Sequence, residues 1–146
     1  MRRALTFACA LLVSSALVHA DDEQKALDGE WTVTQFERAG KAPPKELLDS
    51  LKVTIKDGKL DMRDSRGGEP ATFTVNAKKS PSEIDLKFKE GPNNDVVRDA
   101  VGIYELKDDE LKLAWRKDGT RPTEFKSVAN NRSSELMVLK RKKSSN

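Results

Sequence analysis

The chain has one cysteine and one histidine among its 146 residues, and both lie within the first twenty. They are Cys9 and His19, and the segment that holds them has the pattern of a secretory signal peptide. If this segment is removed, the rest of the chain has no thiol and no imidazole. Cys/His metal sites, cysteine nucleophiles and histidine-based acid–base catalysis are therefore excluded from the mature domain.

Three features of the N-terminal segment indicate the signal peptide. Arg2 and Arg3 form a charged start, and an apolar stretch follows from Ala4 to Val18. Val18-His19-Ala20 matches the small-x-small cleavage pattern, so we expect residues 1–20 to be cleaved off after Ala20. The apolar stretch, at about 15 residues, is shorter than the roughly 20 that a membrane-spanning helix needs. The sequence therefore predicts a secreted or periplasmic protein with no transmembrane segment after cleavage.

The excess of basic over acidic residues comes from the two ends of the chain. The full sequence has 27 Lys and Arg against 24 Asp and Glu. Loss of Arg2 and Arg3 leaves a net charge of +1, and four of the remaining basic residues are consecutive, Lys140 to Lys143. A nucleic-acid-binding domain carries a basic face or stripe, whereas both signs are mixed along this chain. We therefore expect no nucleic-acid partner, and we expect residues 143–146 to form a disordered tail.

The remaining sequence contains a series of short segments in which apolar and polar residues alternate. Residues 21–142 are enough for one domain, and alternation with period two is typical of a strand with one face on a core. Turn sequences such as Asp57-Gly58 separate the segments. The strand-like segments are 31–34, 51–56, 72–75, 84–89, 101–106, 111–116 and 136–139. About eight short strands at this spacing predict an all-β fold, either an antiparallel barrel or a sandwich.

The same alternation predicts which side chains face the core. One segment, Pro43 to Ser50, does not alternate; proline at its start and good helix formers after it predict a short helix between the first two strands. The side chains that we expect to face inward are Trp31, Val33, Leu51, Val53, Ile55, Leu60, Phe73, Val75, Ile84, Leu86, Phe88, Ile103, Leu111, Leu113, Trp115 and Val138.

The tripeptide Gly29-Glu30-Trp31 opens the first predicted strand. In lipocalins and their relatives, Gly-x-Trp stands at this place, and the indole closes the barrel floor beneath a basic side chain from a late strand. Such a cation–π contact contributes about 0.5–2 kcal/mol. We expect Arg141 to be the partner of Trp31, with Lys140 as the alternative, because a slip of one residue exchanges the two faces of a strand. A core tryptophan at a strand start would also explain the tripeptide.

Further blocks extend this similarity over residues 27–142, where the sequence resembles the small secreted lipocalin-like, calycin-type domain family that is abundant in planctomycete-type bacteria. The blocks are Gly29 to Val33, Gly40 to Pro43, Gly102 to Leu106, Leu111 to Leu113, Arg121 to Phe125 and Leu136 to Arg141. The resemblance implies a single antiparallel β-barrel of about eight strands and an extracytoplasmic setting. The family is uncharacterised, so the resemblance implies no catalytic residues. Many members have a cysteine where this chain has Leu113-Ala114-Trp115.

The residues that the sequence singles out have structural roles in this interpretation. They are Gly29, Trp31, Trp115, Phe125 and Arg141. Phe125 belongs to the loop segment Arg121-Pro122-Thr123-Glu124-Phe125, in which we expect Phe125 to reach the core and Arg121 to pair with Glu124. The carboxylates of two predicted turns are interpreted as solvated turn formers rather than as catalytic pairs. These are Asp57, Asp61 and Asp64 in one turn region and Asp108, Asp109 and Glu110 in the other.

Three functions remain open at this point, and the first is favoured. The resemblance implies non-catalytic binding of a small apolar ligand inside the barrel, although the large inward side chains favour a filled interior. The second is a structural or protein-interaction module of the cell envelope, which would have an exposed sheet edge or apolar patch. The third is a hydrolase that uses paired carboxylates, which requires a buried pair with shifted pKa values. We expect no metal and no cofactor, and the sequence assigns neither ligand-binding residues nor an oligomeric state.

Overall fold

The computed structural model describes residues 20–144, which form a closed antiparallel barrel. Each strand pairs with the next in chain order, and the last pairs with the first. The strands are β1 (Gly29–Arg38), β2 (Lys52–Lys56), β3 (Lys59–Asp64), β4 (Gly67–Asn76), β5 (Ser82–Glu90), β6 (Val96–Lys107), β7 (Glu110–Arg116) and β8 (Ser134–Arg141). The predicted all-β barrel of eight strands is confirmed.

Two short helices accompany the strands. Helix α1 (Ala20–Lys25) precedes β1, and helix α2 (Lys45–Ser50) connects β1 with β2. Helix α2 confirms the helix predicted between the first two strands, whereas α1 was not predicted from the sequence. The predicted signal peptide lies outside the described residues except for Ala20, which is the first residue of α1. Cys9 and His19 are therefore among the residues that the structure does not describe.

Large apolar side chains fill the barrel interior. They come from alternate positions of every strand, as period-two alternation requires, and Leu27 adds to them from the segment before β1. The inward set comprises Trp31, Val33, Val53, Ile55, Leu60, Met62, Ala71, Phe73, Val75, Ile84, Leu86, Phe88, Ala100, Tyr104, Leu111, Leu113, Trp115, Met137 and Leu139. Thirteen of the sixteen predicted inward residues belong to this set. A fourteenth, Leu51, is half-buried because it follows α2 at one end of the barrel.

The prediction that Val138 faces inward is wrong. In β8 the residues on either side of it, Met137 and Leu139, point into the barrel and are 1% and 0% exposed, while Val138 is half-buried on the outer face. The sequence from Leu136 to Leu139 is apolar on both faces, so its alternation does not distinguish the two sides. Pairing of Leu139 with Val33 and Leu111 fixes the register in the structure.

Ile103 is buried as predicted, but it faces outward rather than into the barrel. It packs with Ala114 and Leu136 in a second apolar cluster, and Phe125 from the long loop between β7 and β8 covers that cluster. Gly102, which precedes Ile103, provides no side chain from which the inward face could be inferred. The predicted contact of Phe125 with the core is therefore made on the outer wall of the barrel.

One end of the barrel, the floor, is closed by Trp31. Its indole N–H donates to the Leu27 carbonyl at 3.0 Å, and the Arg141 guanidinium lies 4.3 Å from the ring centroid. Of the two cations that the sequence left open, the structure places Arg141 over the ring, while Lys140 is exposed. Gly29 has φ +148°, and a Cβ there would lie 3.0 Å from Arg141 Nη1. A larger residue at this position would therefore meet both backbone strain and the guanidinium.

Replacement of the floor tryptophan should destabilise the barrel. Because Trp31 is 1% exposed, we expect Trp31→Ala to lower the free energy of unfolding by about 3–5 kcal/mol, through lost burial and the cavity left behind. Equilibrium denaturant unfolding would measure the change. The matched control is Thr32→Ala in the next, exposed position, which should stay within about 0.5 kcal/mol. Similar small changes for both variants would contradict the role of Trp31 in closing the floor.

Candidate functional site

The end of the barrel opposite the floor carries a ring of charged side chains at its inner rim. Each member lies in a strand, or directly after one in the case of Lys117, and is two residues away from an inward-facing apolar residue. It therefore continues the inner face of that strand. For example, Lys117 follows Trp115, and Glu135 precedes Met137. We call this set the charged ring: Arg38, Asp64, Glu69, Glu90, Arg98, Lys117 and Glu135. Helix α2 lies beside the same opening, which we call the mouth.

Ion pairs join four members of the charged ring. Lys117 Nζ lies 3.0 Å from a carboxylate oxygen of both Glu69 and Glu90, and Glu90 also binds Arg98 at 2.8 Å. The Lys117 ammonium stands 4.5 Å from the centroid of the Phe88 ring. Burial alone would lower the pKa of Lys117, but its hydrogen bonds to the two carboxylates outweigh this effect and raise it. Lys117 is therefore held as a cation above the apolar core.

The second ion pair of the ring contains the most buried charged group. Glu135 is 2% exposed, and its Oε1 accepts from Arg38 Nε at 2.8 Å, while the Arg38 side chain is about half exposed. Burial raises the pKa of the Glu135 carboxyl, since desolvation outweighs the attraction of Arg38 and Lys117. In contrast, the hydrogen bond from Lys117 lowers the pKa of Glu90.

The sheet opens at the level of the ring. β4 pairs with β5 only as far as Ala71 and Phe88, and β6 pairs with β7 only as far as Val101 and Arg116. Beyond these points the β5–β6 hairpin is no longer paired with β4 or with β7. Lys117 joins β4 to β5 above their last paired residues, through its ion pairs with Glu69 and Glu90. The mouth is thus held partly by ion pairs instead of main-chain pairing.

A cavity of about 660 Å³ lies at the mouth between α2 and the β3–β4 hairpin. We call it the mouth cavity. Its apolar wall is formed by Phe36, Leu47, Leu51 and Met62. Met62 belongs to the barrel core, and Phe36 and Leu51 pack against that core. The polar residues at its edge are Arg38, Lys41, Asp64, Arg66 and Glu69. A neighbouring cavity of about 520 Å³ lies over the rest of the charged ring and shares Arg38 and Glu69 with it.

None of the five residues to which the sequence analysis gave structural roles lines the mouth cavity. Gly29, Trp31 and Arg141 lie at the floor, Phe125 lies on the outer wall, and Trp115 is buried below the charged ring with its centroid 6.0 Å from that of Phe88. The indole nitrogen of Trp115 is buried without a hydrogen-bond partner among the described residues.

The charged ring was missed because its members stand at strand ends, where the sequence analysis expected only turns. Asp64 was assigned to a turn, yet it lines the mouth cavity and binds Arg66 at 2.8 Å. One further step of the inward alternation from Phe88 and Trp115 would have found Glu90 and Lys117. The β-bulge in β1 and the wrongly assigned faces of β6 and β8 hid Arg38, Arg98 and Glu135. The predicted pairing of Arg121 with Glu124 is wrong: Arg121 binds Asp85 at 2.7 Å and reaches across to β5 and β6.

Two features are absent from the part of the chain that the structure describes. No three His, Cys, Asp or Glu side chains within residues 20–144 are grouped so that they could hold a metal ion. In the same range, neither helix has the length and apolar character needed to cross a membrane.

Removal of Arg38 should destabilise the protein more at neutral than at acidic pH. In Arg38→Met, Glu135 stays buried without its partner, which we expect to cost about 2 kcal/mol at pH 7, less than for a fully buried pair because Arg38 is half exposed. The folded-state pKa of Glu135 is already raised and would rise further. A carboxyl with a raised pKa disfavours folding as the pH rises through that pKa, so the cost should shrink as acid protonates Glu135.

Denaturant unfolding at several pH values would measure this effect. The control is Arg63→Met, which removes an exposed ion pair with Asp61 and should cost about 0–1 kcal/mol with no comparable trend. A cost for Arg38→Met that is independent of pH would contradict the coupling to Glu135.

The sequence was also compared with known proteins. No model of a known protein family matches the chain, and no curated protein was found that is similar to it. Membership of the lipocalin-like family therefore stays a prediction from the sequence.

Proposed function

We propose that this protein is a non-catalytic, extracytoplasmic binding domain that takes a small apolar ligand in the mouth cavity. The observation that carries the proposal is the cavity itself. Its volume of about 660 Å³ falls within the roughly 300–1,000 Å³ of small-molecule sites, which are mostly apolar with a few placed polar groups. Phe36, Leu51 and Met62 extend the barrel core into the cavity wall, so an apolar ligand would bury surface against a preformed face.

The proposed site lies at the mouth and not, as the sequence analysis expected, inside the barrel. An eight-stranded barrel is just wide enough to be filled by side chains or to hold one small ligand. Here Phe88, Trp115 and Met137 occupy the interior directly below the charged ring. The main cavities among residues 20–144 open at the surface. A ligand at the mouth needs no displacement of these core side chains.

The carboxylates of the ring are better suited to structure than to catalysis. A raised pKa at Glu135 beside a lowered pKa at Glu90 is the kind of difference that acid–base enzymes use. However, Glu135 is paired with Arg38, and Glu90 with Lys117 and Arg98. Both carboxylates are thus held in ion pairs with cations of the ring. This favours binding over the carboxylate-based hydrolase that the sequence left open.

The mouth cavity should bind a neutral apolar fluorophore. We expect N-phenyl-1-naphthylamine to show enhanced fluorescence with the wild-type protein, and Leu47→Glu to weaken its binding at least about tenfold. Leu47 is a half-buried residue of α2 in the cavity wall, and burying a charge against the probe is costly. Fluorescence titration gives the dissociation constants.

The matched control for this titration is Val97→Glu. It adds the same charge at a residue that is 58% exposed on the β5–β6 hairpin, away from the cavity. This variant should bind the probe as the wild type does. Absence of binding to the wild type would overturn the proposed function, and equal weakening by both variants would overturn the location at the mouth.

A second function, protein interaction in the cell envelope, is favoured by one observation. Val96 and Val97 are 45% and 58% exposed, and they lie in the part of β6 that has no pairing with β7. Exposed apolar residues on an unpaired strand edge are typical of interaction sites.

Photo-crosslinking in producing cells would test this second function. A photoreactive amino acid in place of Val97 should give a discrete adduct of higher mass, and the same group in place of the exposed Thr54 on β2 should not. If neither position gives an adduct, or both give the same ones, the hairpin is not a specific interaction site.

A further inference from the structure

We infer that the ligand of the mouth cavity carries a single negatively charged head group and that Lys41 binds it. This inference rests on the proposed function and adds to it the chemical class of the ligand, an amphiphile with an apolar chain and an anionic end. Three observations support it: the charge balance around the cavity, the fixed position of Lys41, and the place of Lys41 at the edge of an apolar wall.

The charges around the mouth cavity balance except for one. Arg66 is paired with Asp64 and Arg38 with Glu135, each at 2.8 Å. The remaining lining carboxylate, Glu69, belongs to the network in which Lys117 and Arg98 balance Glu69 and Glu90.

Lys41 is the charge that remains. It lines the cavity, and within residues 20–144 its ammonium takes part in no ion pair and no hydrogen bond. The mouth cavity therefore presents one positive charge that no carboxylate of the described chain neutralises. A neutral ligand would leave this charge without a partner, and a cationic ligand would be repelled by it.

The backbone around Lys41 is held firmly in place. Arg38 and Lys41 exchange two backbone hydrogen bonds, of 2.9 and 3.0 Å, across the turn Ala39-Gly40. Within that turn, the Ala39 N–H donates to the Ser134 carbonyl at 3.0 Å and the Gly40 N–H to Ser127 Oγ at 2.9 Å. A fixed backbone lowers the conformational cost of binding, because only the Lys41 side chain has to become ordered.

The position of Lys41 relative to the apolar wall defines the shape of the ligand. Residues directly opposite in an antiparallel pair project to the same side of the ribbon, and both Arg38 and Lys41 line the cavity. Phe36, Leu51 and Met62 form the apolar surface of the same cavity. A ligand whose apolar part covers that surface would therefore have its polar end at Lys41, near the solvent, where an anion remains partly hydrated.

Competition with the neutral fluorophore distinguishes the contribution of the head group to affinity from that of the apolar chain. Decanoate and 1-decanol have chains of the same length, and they differ in charge at neutral pH. We expect decanoate to displace N-phenyl-1-naphthylamine from the wild type at concentrations at least about fivefold lower than 1-decanol. The advantage of decanoate should decrease at high ionic strength, because salt screens an exposed charge pair.

Substitution of Lys41 identifies the residue responsible. Lys41→Gln should remove most of the advantage of decanoate over 1-decanol, and Lys41→Arg should keep that advantage. The control is Lys56→Gln, which makes the same change in net charge at an exposed residue that lines none of the described cavities. Because Lys41 and Lys56 are both exposed, neither substitution should affect folding.

The outcomes distinguish this inference from the proposed function. Equal displacement by decanoate and 1-decanol, or equal effects of Lys41→Gln and Lys56→Gln, would overturn the role of Lys41 while the mouth cavity remains an apolar binding site. Failure of the fluorophore and of both competitors to bind would overturn the proposed function and this inference together.

Discussion

The register between β1 and β8 is the constraint on which the rest of the structure depends. Trp31 opposite Arg141 and Val33 opposite Leu139 close the barrel, and Thr34 is then an extra residue in β1. After this β-bulge, Phe36 and Arg38 face inward, whereas regular alternation would have turned Gln35 and Glu37 inward. One inserted residue thus supplies an apolar side chain to the mouth cavity and places Arg38 opposite Glu135.

The two ends of the barrel separate the apolar interior from solvent in different ways. At the floor, one indole is covered by one cation, and Arg141 also donates to the backbone carbonyls of Ala26 and Asp28. This contact joins the segment before β1 to the last strand. At the mouth, no single side chain spans the opening, and charges of both signs compensate one another around the rim. The closed end therefore provides stability, and the open end provides a polar boundary to an apolar surface.

The alternation of residue types was enough to predict an all-β domain and most of its core. The barrel rather than a sandwich followed from the resemblance, and the short helix before β2 from its proline and helix-forming residues. The alternation failed where the inward face of a strand could not be recognised. One case is β8, which is apolar on both sides around Val138. The other is β6, where Ile103 follows a glycine and is covered by Phe125 from a distant loop. The mouth could not be predicted in the same way. Its cavity depends on the bulge at Thr34, and its ion pairs join residues such as Arg38 and Glu135 that are remote in sequence.

The bridge that Lys117 forms between Glu69 and Glu90 has a mechanical consequence. Below this level, main-chain hydrogen bonds fix the spacing of β4 and β5, and these bonds do not respond to salt. Above it, the spacing is set by two ionic contacts of 3.0 Å to one ammonium. At the mouth the separation of these two strands therefore depends on the charge of one side chain, whereas below it the main chain alone sets the separation.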